Sequence, residues 1–160
     1  MKKSWPEKMA DKPNLPKILL LERGFPCYNA VHKMGAEEGN SVILVNPSEI
    51  LPYMQAVPPG KLSTITEICK AIAARHNVKG CCSLTIGIFI MTIANAVVEM
   101  QQEGVYIYVP YWRTIKADGS LNPKYPGGIE AHKSLLESEG YPIMKKGKQY
   151  YVRNFAQFLV

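Results

Sequence analysis

Two groups of side chains in this chain have types and spacing that lend themselves to chemistry. Cys81 and Cys82 adjoin the expected start of a helix, where aligned peptide dipoles lower a thiol pKa and favour the nucleophilic thiolate. No base accompanies them, so structural cysteines are the expectation and a displaced acceptor thiol the minor alternative. His76, Cys81 and Cys82 make only a partial ligand set, lacking a fourth ligand and zinc spacing, so no metal site is expected. The second group is Tyr111-Trp112-Arg113, followed by Asp118-Gly119-Ser120-Leu121, Tyr125 and Gly127-Gly128. Aromatic faces of this kind stack on nucleobases, and the glycine pair lets the backbone approach closely. His32 and His132 stand alone and read as exposed or locally hydrogen-bonded.

These residues need elements to hold them. Asn46-Pro47-Ser48-Glu49 has the form of a helix start, with a capping side chain, proline in the first turn and an acid behind it. Val57-Pro58-Pro59-Gly60 stops that helix. Thr64-Ile65-Thr66-Glu67 has capping-box spacing, and Ile65, Ile68, Cys69 and Ile72 form the buried stripe of a second helix, which makes Cys69 a core residue. A third helix is expected from about Ser83 to Gln102, stopped by Gly104. Val42–Val45 and the alternating Val105–Val109 read as strands. Residues 129–139 read as a fourth helix ending at Gly140. Tyr141–Met144 and Gln149–Val152 flank a turn and read as a hairpin. Residues 1–40, rich in Pro, Gly and charge, read as a largely irregular arm, with a short apolar run at Ile18–Leu21. Two helices with a short connection, followed by a basic hairpin, give the pattern of a winged helix-turn-helix. The fold class expected is α+β, mainly helical, with an arm at 1–40 and one domain at 41–160.

Composition narrows the partners. The 160 residues carry a net charge of +6, concentrated at the ends: residues 1–20 hold five lysines against Glu7 and Asp11, and residues 141–160 hold Lys145, Lys146, Lys148 and Arg153 with no acid. Such a surface favours polyanions through counterion release, or simply keeps the protein soluble. The four cysteines lack the density of a disulfide scaffold, which points to a reducing cytoplasm. The charged start Met1-Lys2-Lys3 has no apolar run behind it, so no signal peptide is expected. The uncharged run Cys81–Val98 just reaches membrane-spanning length. Its Ser83, Thr85, Gly87, Thr92 and Asn95 favour a helix buried in a globular core, and no membrane partner is expected.

Residues 47–140, over half the chain, resemble the DNA-binding and active-site domain of the methylguanine-DNA methyltransferases and their alkyltransferase-like relatives. Val57-Pro58-Pro59-Gly60-Lys61-Leu62 is similar to the family's IPxGxV step, and Thr64–Ile68 to its TYGEIA. Ser83-Leu84-Thr85-Ile86-Gly87 falls where xRAVG opens the recognition helix, and Val109–Thr114 where IPCHRV stands. Asp118–Leu121, Tyr125–Gly128 and Leu135–Gly140 continue as its DGxLxxYxGGxxxKxxLLxxEG. The pieces follow one another in the family's order.

The resemblance implies a protein that flips an alkylated guanine out of the duplex. In the repair enzymes the alkyl group moves irreversibly to a cysteine activated by a histidine, which a glutamate orients. Here those positions hold Tyr111 and Trp112, and only the glutamate, Glu139, remains. A phenol with a pKa of about 10 and no adjacent base does not replace a thiolate, so no enzymatic activity is expected. The alkyltransferase-like relatives also lack the cysteine, and they bind alkylated bases without repairing them. Tyr111 and Trp112 either form an aromatic wall for a flipped base or fill the old pocket. Arg113, Tyr125, Gly127, Gly128 and Glu139 complete the base-pocket candidates.

Leu84 stands at the family's intercalating arginine and Ile65 at its phosphate-contacting tyrosine. Since residues 81–112 contain no Lys or Arg, the grip on double-stranded DNA falls to Lys61, Lys116, Lys124 and the hairpin's Lys145, Lys146 and Lys148, with Lys79 and Arg113 as further cations. The segment 87–110 exceeds the family's by roughly three helical turns, assigned to a longer third helix. Its apolar surface is covered either by the arm or by a partner or second copy of the protein. The expected function is non-catalytic DNA binding in repair at alkylated or modified bases, without a cofactor. The alternative is a protein-interaction or self-association module on the same fold.

Overall fold

The computed structural model describes residues 3–160, and Met1 and Lys2 of the charged start lie outside the described residues. The segment expected as an irregular arm is built into the fold. Helix α1 (Trp5–Met9) is capped by Ser4, whose hydroxyl accepts the Glu7 N–H. It lies against the long helix of residues 83–102, and the Trp5 N–H donates to Glu99 of that helix at 3.1 Å. The apolar run supplies strand β1 (Lys17–Leu20), and helix α2 (Tyr28–Lys33) follows. Strand β2 (Ser41–Leu44) pairs antiparallel with β1, Leu19 facing Val42. Leu21, Cys27, Val31, Ala36, Val42 and Cys82 close into a buried cluster, which explains why a Pro- and Gly-rich stretch is ordered: it has a small core of its own.

Helix α3 (Pro47–Gln55) starts where its signals predict. Asn46, however, does not cap it. Its side chain turns to the N-terminal segment instead, accepting the Lys12 N–H at 2.7 Å and donating to the carbonyls of Lys12 and Leu15. Strand β3 (Ser63–Thr64) leads into helix α4 (Ile65–Arg75), where the Thr64 hydroxyl accepts the Glu67 N–H as its spacing predicts. Between α4 and the next helix the chain forms a short strand, β4 (Gly80–Cys81), parallel to β2. Helix α5 (Ser83–Gln102) then runs through the middle of the fold. By length and composition it is apolar enough to cross a membrane. Here it is the core helix, burying Ile86, Ile90, Ile93, Ala94 and Val97 against α3 and α4. The N-terminal segment covers further surface, with Lys12 lying over the Phe89 ring. The extra length of the third helix is therefore packed within the chain.

Val105–Val109 is not a strand. The Val105 N–H closes the end of α5 on the Met100 carbonyl, and no neighbouring strand offers a ladder. Alternating β-formers supply propensity but not a pairing partner. A 3-10 turn at Tyr111–Arg113 and strand β5 (Thr114–Ile115), parallel to β3, carry the chain to the loop 116–127. Helix α6 (Gly128–Ser138) follows, then the expected hairpin of β6 (Ile143–Lys146) and β7 (Gln149–Val152), with Ile143 facing Val152. A 3-10 turn at Phe155–Phe158 ends the chain, and Leu62, Ile115, Leu121, Leu136, Tyr141 and Val152 bury a cluster beneath it. The architecture is mixed α+β, as expected.

Candidate nucleic-acid interface

Glu139, the C-cap residue of α6, organises the 111–113 turn. Arg113 is buried and meets it with two parallel bonds, Nε to Oε1 at 2.9 Å and a second nitrogen to Oε2 at 2.6 Å. The remaining guanidinium nitrogen donates to the Val57 carbonyl at 2.9 Å and to the Tyr108 hydroxyl at 3.0 Å. The Trp112 indole N–H donates to the same Glu139 Oε1 at 2.9 Å. The hydrogen bonds from Arg113, against the opposing effect of burial and with the Trp112 donation and the Arg113 charge adding to them, hold the Glu139 carboxyl below its usual range. Its donors, a guanidinium and an indole, cannot serve as bases.

Tyr111 is buried, its ring meeting Trp112 and Tyr125 edge-on at centroid distances of 5.3 Å. Desolvation raises its phenol pKa. Tyr125 is buried behind it and donates its hydroxyl to the Thr114 carbonyl at 2.6 Å. His132, missed as a site residue, ties the two loops together: its Nδ1 accepts the Asn122 N–H at 3.0 Å and its Nε2 meets the Trp112 carbonyl at 2.9 Å. Only the neutral ring protonated at Nε2 satisfies both, and burial pushes its pKa down to about 4. Gly127 caps α6 with φ 81°, and a Cβ there would stand 2.6 Å from the Ala131 methyl, so the turn requires glycine. Gly128 also has positive φ.

The predicted residues fall into separate surfaces. Tyr111 and Trp112 line a cleft of about 560 Å³ with Tyr106, Ile107, Tyr108 and Leu135, and among the described residues no Lys or Arg contributes to its walls. Ile65, Leu84, Lys116 and Lys124 line another, of about 390 Å³, together with Ser83, Gly87, Ile88, Met91, Asn122 and Pro123. Asn95 of α5 fixes its loop wall by donating to the Lys124 carbonyl at 2.9 Å. A third cleft of about 560 Å³ adjoins it, sharing Ile65, Ser83, Leu84 and Lys116 and adding Lys33 of α2 and Lys70 of α4. The two clefts flank a ridge made by Ile65 and the exposed Leu84 at the N-terminal end of α5. The hairpin lysines are exposed, and β7 is bonded to the 119–121 loop beside Lys116, Leu121 N–H donating to the Tyr150 carbonyl and Val152 N–H to the Gly119 carbonyl. Lys61 lies elsewhere: its carbonyl accepts the Tyr141 hydroxyl, and neither cleft includes it.

A scan against protein-family models finds no match, and a search of curated proteins finds none either. Among solved structures the chain is similar to the ATL protein of S. pombe in complex with DNA, at 19% identity over 71% of this chain and 93% of that one, with a TM-score of 0.51. It is also similar to S. pombe Atl1 in complex with damaged DNA containing O6-carboxymethylguanine, at 21% identity over the same shares and a TM-score of 0.49. The chain shares the alkyltransferase-like fold. Within that fold the acceptor position indicated by the sequence resemblance is a buried tyrosine, and the histidine position is an indole that keeps the bond to glutamate but has no basic nitrogen.

Nor do the cysteines supply a displaced acceptor. All four are free and buried. A hydrogen bond with Cys69, together with burial, raises the Cys81 thiol far above its usual range. Cys27 is pushed up to about 11 by burial and by its bond to Cys82. At Cys81 the expected benefit of a helix start is therefore outweighed by the hydrogen bond with Cys69 and by burial. What sequence reasoning missed on this alkyltransferase-like fold are Lys33 and Lys70. Lys70 lies one helical turn after Thr66 on α4, a spacing that puts the two on one face and was a usable signal. Lys33 had none, because only the β1–β2–β4 sheet brings α2 to the start of α5.

Proposed function

We propose that this protein is a non-catalytic, alkyltransferase-like DNA-binding protein that acts in repair. It holds duplex DNA across the Ile65–Leu84 ridge in winged helix-turn-helix fashion, with α4 and α5 as the helix pair and β6–β7 as the wing. The observation that carries the reading is the ring of cations around the two adjoining clefts: Lys33 and Lys70 on one side, Lys116 between, Lys124 on the other. These lie at the positive end of the α5 dipole, where phosphates are favoured. They answer the difficulty posed by a recognition helix without Lys or Arg, since the grip comes from neighbouring elements while an apolar side chain meets the bases. Leu84 is the wedge. The 390 Å³ cleft behind it, walled by Ile65, Gly87, Met91 and Pro123, receives an extrahelical, modified base. Tyr111, packed between Trp112 and Tyr125, fills the space of the former acceptor.

The test is binding to a short duplex, with and without one alkylated guanine, across a salt series. Tighter binding to the alkylated duplex that weakens with salt is expected, and equal binding to both would remove the modified base from the proposal. Replacing Lys116 and Lys124 with alanine should lower the salt slope by about 0.9 for each phosphate no longer neutralised. Leu84→Ala should weaken binding at a similar slope. The triple change of Lys145, Lys146 and Lys148 tests the hairpin, and unchanged affinity and slope would exclude it from the interface.

A further inference from the structure

The segment Val105–Val109 has the composition of a strand and the pairing of none. It runs from Gly104 to Pro110 without turn or bend. Val105, Tyr106, Ile107 and Tyr108 are 51%, 76%, 38% and 63% exposed. Within the described residues, the backbone N–H groups of Tyr106, Ile107, Tyr108 and Val109 find no acceptor. The partnered groups are the Val105 N–H on Met100, the Tyr108 carbonyl from Gln55 and the Val109 carbonyl from the Tyr111 N–H. Val109 is only 4% exposed, but the donors from Tyr106 to Tyr108 form an exposed, unpaired row on β-branched and aromatic residues, which is a template for another strand.

The order of residues specifies which strand. Val-Tyr-Ile-Tyr-Val reads the same from either end. We propose that Val105–Val109 pairs antiparallel with the same segment of a second copy about a two-fold axis at Ile107, forming a homodimer. In that register Ile107 faces Ile107 of the second copy, each Tyr106 faces a Tyr108, and each Val105 faces a Val109. These are the aromatic and β-branched cross-strand pairs that stabilise a sheet. No charged residue lies between Val105 and Trp112, so the pairing opposes no like charges. Gly104 and Pro110 bound the segment, and the two-fold closes the assembly at two chains.

The area sets the strength. A buried tyrosine contributes about 150–250 Å², so two partly exposed tyrosines with Val105 and Ile107 fall short of the roughly 800 Å² per partner of a standard interface. The aromatic cleft beside the strand adds to the surface. A reversible dimer forming in the micromolar range is expected.

Sedimentation of the full chain from low micromolar to near-millimolar concentration should show a monomer–dimer equilibrium. Ile107→Pro, which deletes a donor at the two-fold in an exposed segment, should weaken it at least tenfold without moving the thermal melt. Register is tested by cysteine pairing under diamide, the native thiols being buried. Ile107→Cys should cross-link with itself, because residues directly opposite have Cα atoms about 4.5–5.5 Å apart. Val105→Cys alone should not, its copies lying roughly 13 Å apart along the strands. A monomer at every concentration, a dimer unaffected by Ile107→Pro, or cross-linking of Val105→Cys as efficient as that of Ile107→Cys would overturn the proposal.

Discussion

Glu139 organises its surroundings through two neighbours at once. The resemblance implies a glutamate that orients a histidine, and here the carboxylate holds Arg113 in a bidentate grip and also takes the Trp112 N–H. Arg113 is buried, so its charge is compensated by that carboxylate. Removing one partner of such a pair costs about 3–5 kcal/mol, because the other is left uncompensated. Glu139→Gln should therefore lower the urea midpoint sharply. Trp112→Phe, which deletes one bond to a charged acceptor, should cost about 1.5–3 kcal/mol. If the two substitutions were equal, Arg113 would have to draw its stability from Val57 and Tyr108 instead. Since Glu139 is held below its usual range, the pair's contribution is complete above the ordinary carboxyl pKa and is lost as pH falls through the depressed one. Glu139 and Arg113 were legible from the order of motifs. The fate of Tyr111 was not, because both a wall and a plug are aromatic, and only its edge-on contacts with Trp112 and Tyr125 place it in the interior.

At the level of elements, local signals were read correctly where the local chain decides. The Thr64 cap, the bounds of α5 and the hairpin all follow from residues within a few positions of one another. Readings failed where a distant segment competes or is missing. Asn46 has a cap's side chain but spends it on the N-terminal segment, and residues 105–109 alternate as a strand should but meet no strand in their own chain. His132 belongs with these long-range cases. From sequence it stood alone, yet it bridges the 111–113 turn to the 122–125 loop, a role only the folded loops reveal. Its pKa of about 4 lies below the unfolded value of 6.5, so the unfolded chain takes up the proton first as pH falls. Its contribution is complete above about pH 6.5 and is lost towards pH 4, to a total of about 3 kcal/mol. Urea melts at pH 7 and 4.5 should show a larger loss for the wild type than for His132→Gln, which keeps a donor and an acceptor without titrating. Equal losses would place the acid sensitivity elsewhere, with Glu139 next in line.

On the scale of the whole molecule, the long helix and the basic ends visible in the sequence pose a packing problem that the N-terminal segment solves. Composition marked residues 1–40 as irregular because proline, glycine and charge dominate them. Their order comes from a sheet and a helix–helix contact made with residues far along the chain, which no local pattern records. The same docking delivers Lys33 to the cleft beside Leu84, so order in the arm and the proposed grip on DNA are coupled. Asn46 is the test of that coupling. It is buried, it holds Lys12 and Leu15 through three hydrogen bonds, and it touches neither cleft. Asn46→Ala strands the Lys12 N–H and should cost about 1–3 kcal/mol. Part of that loss should appear as local opening, seen as faster tryptic cleavage after Lys8 and Lys17. If Lys33 acts from the docked arm, the variant should also bind duplex DNA more weakly, with a smaller salt slope, at temperatures where α3–α6 remain folded. Faster cleavage with unchanged DNA binding would separate the arm's structural role from the interface and leave the grip to Lys70, Lys116 and Lys124.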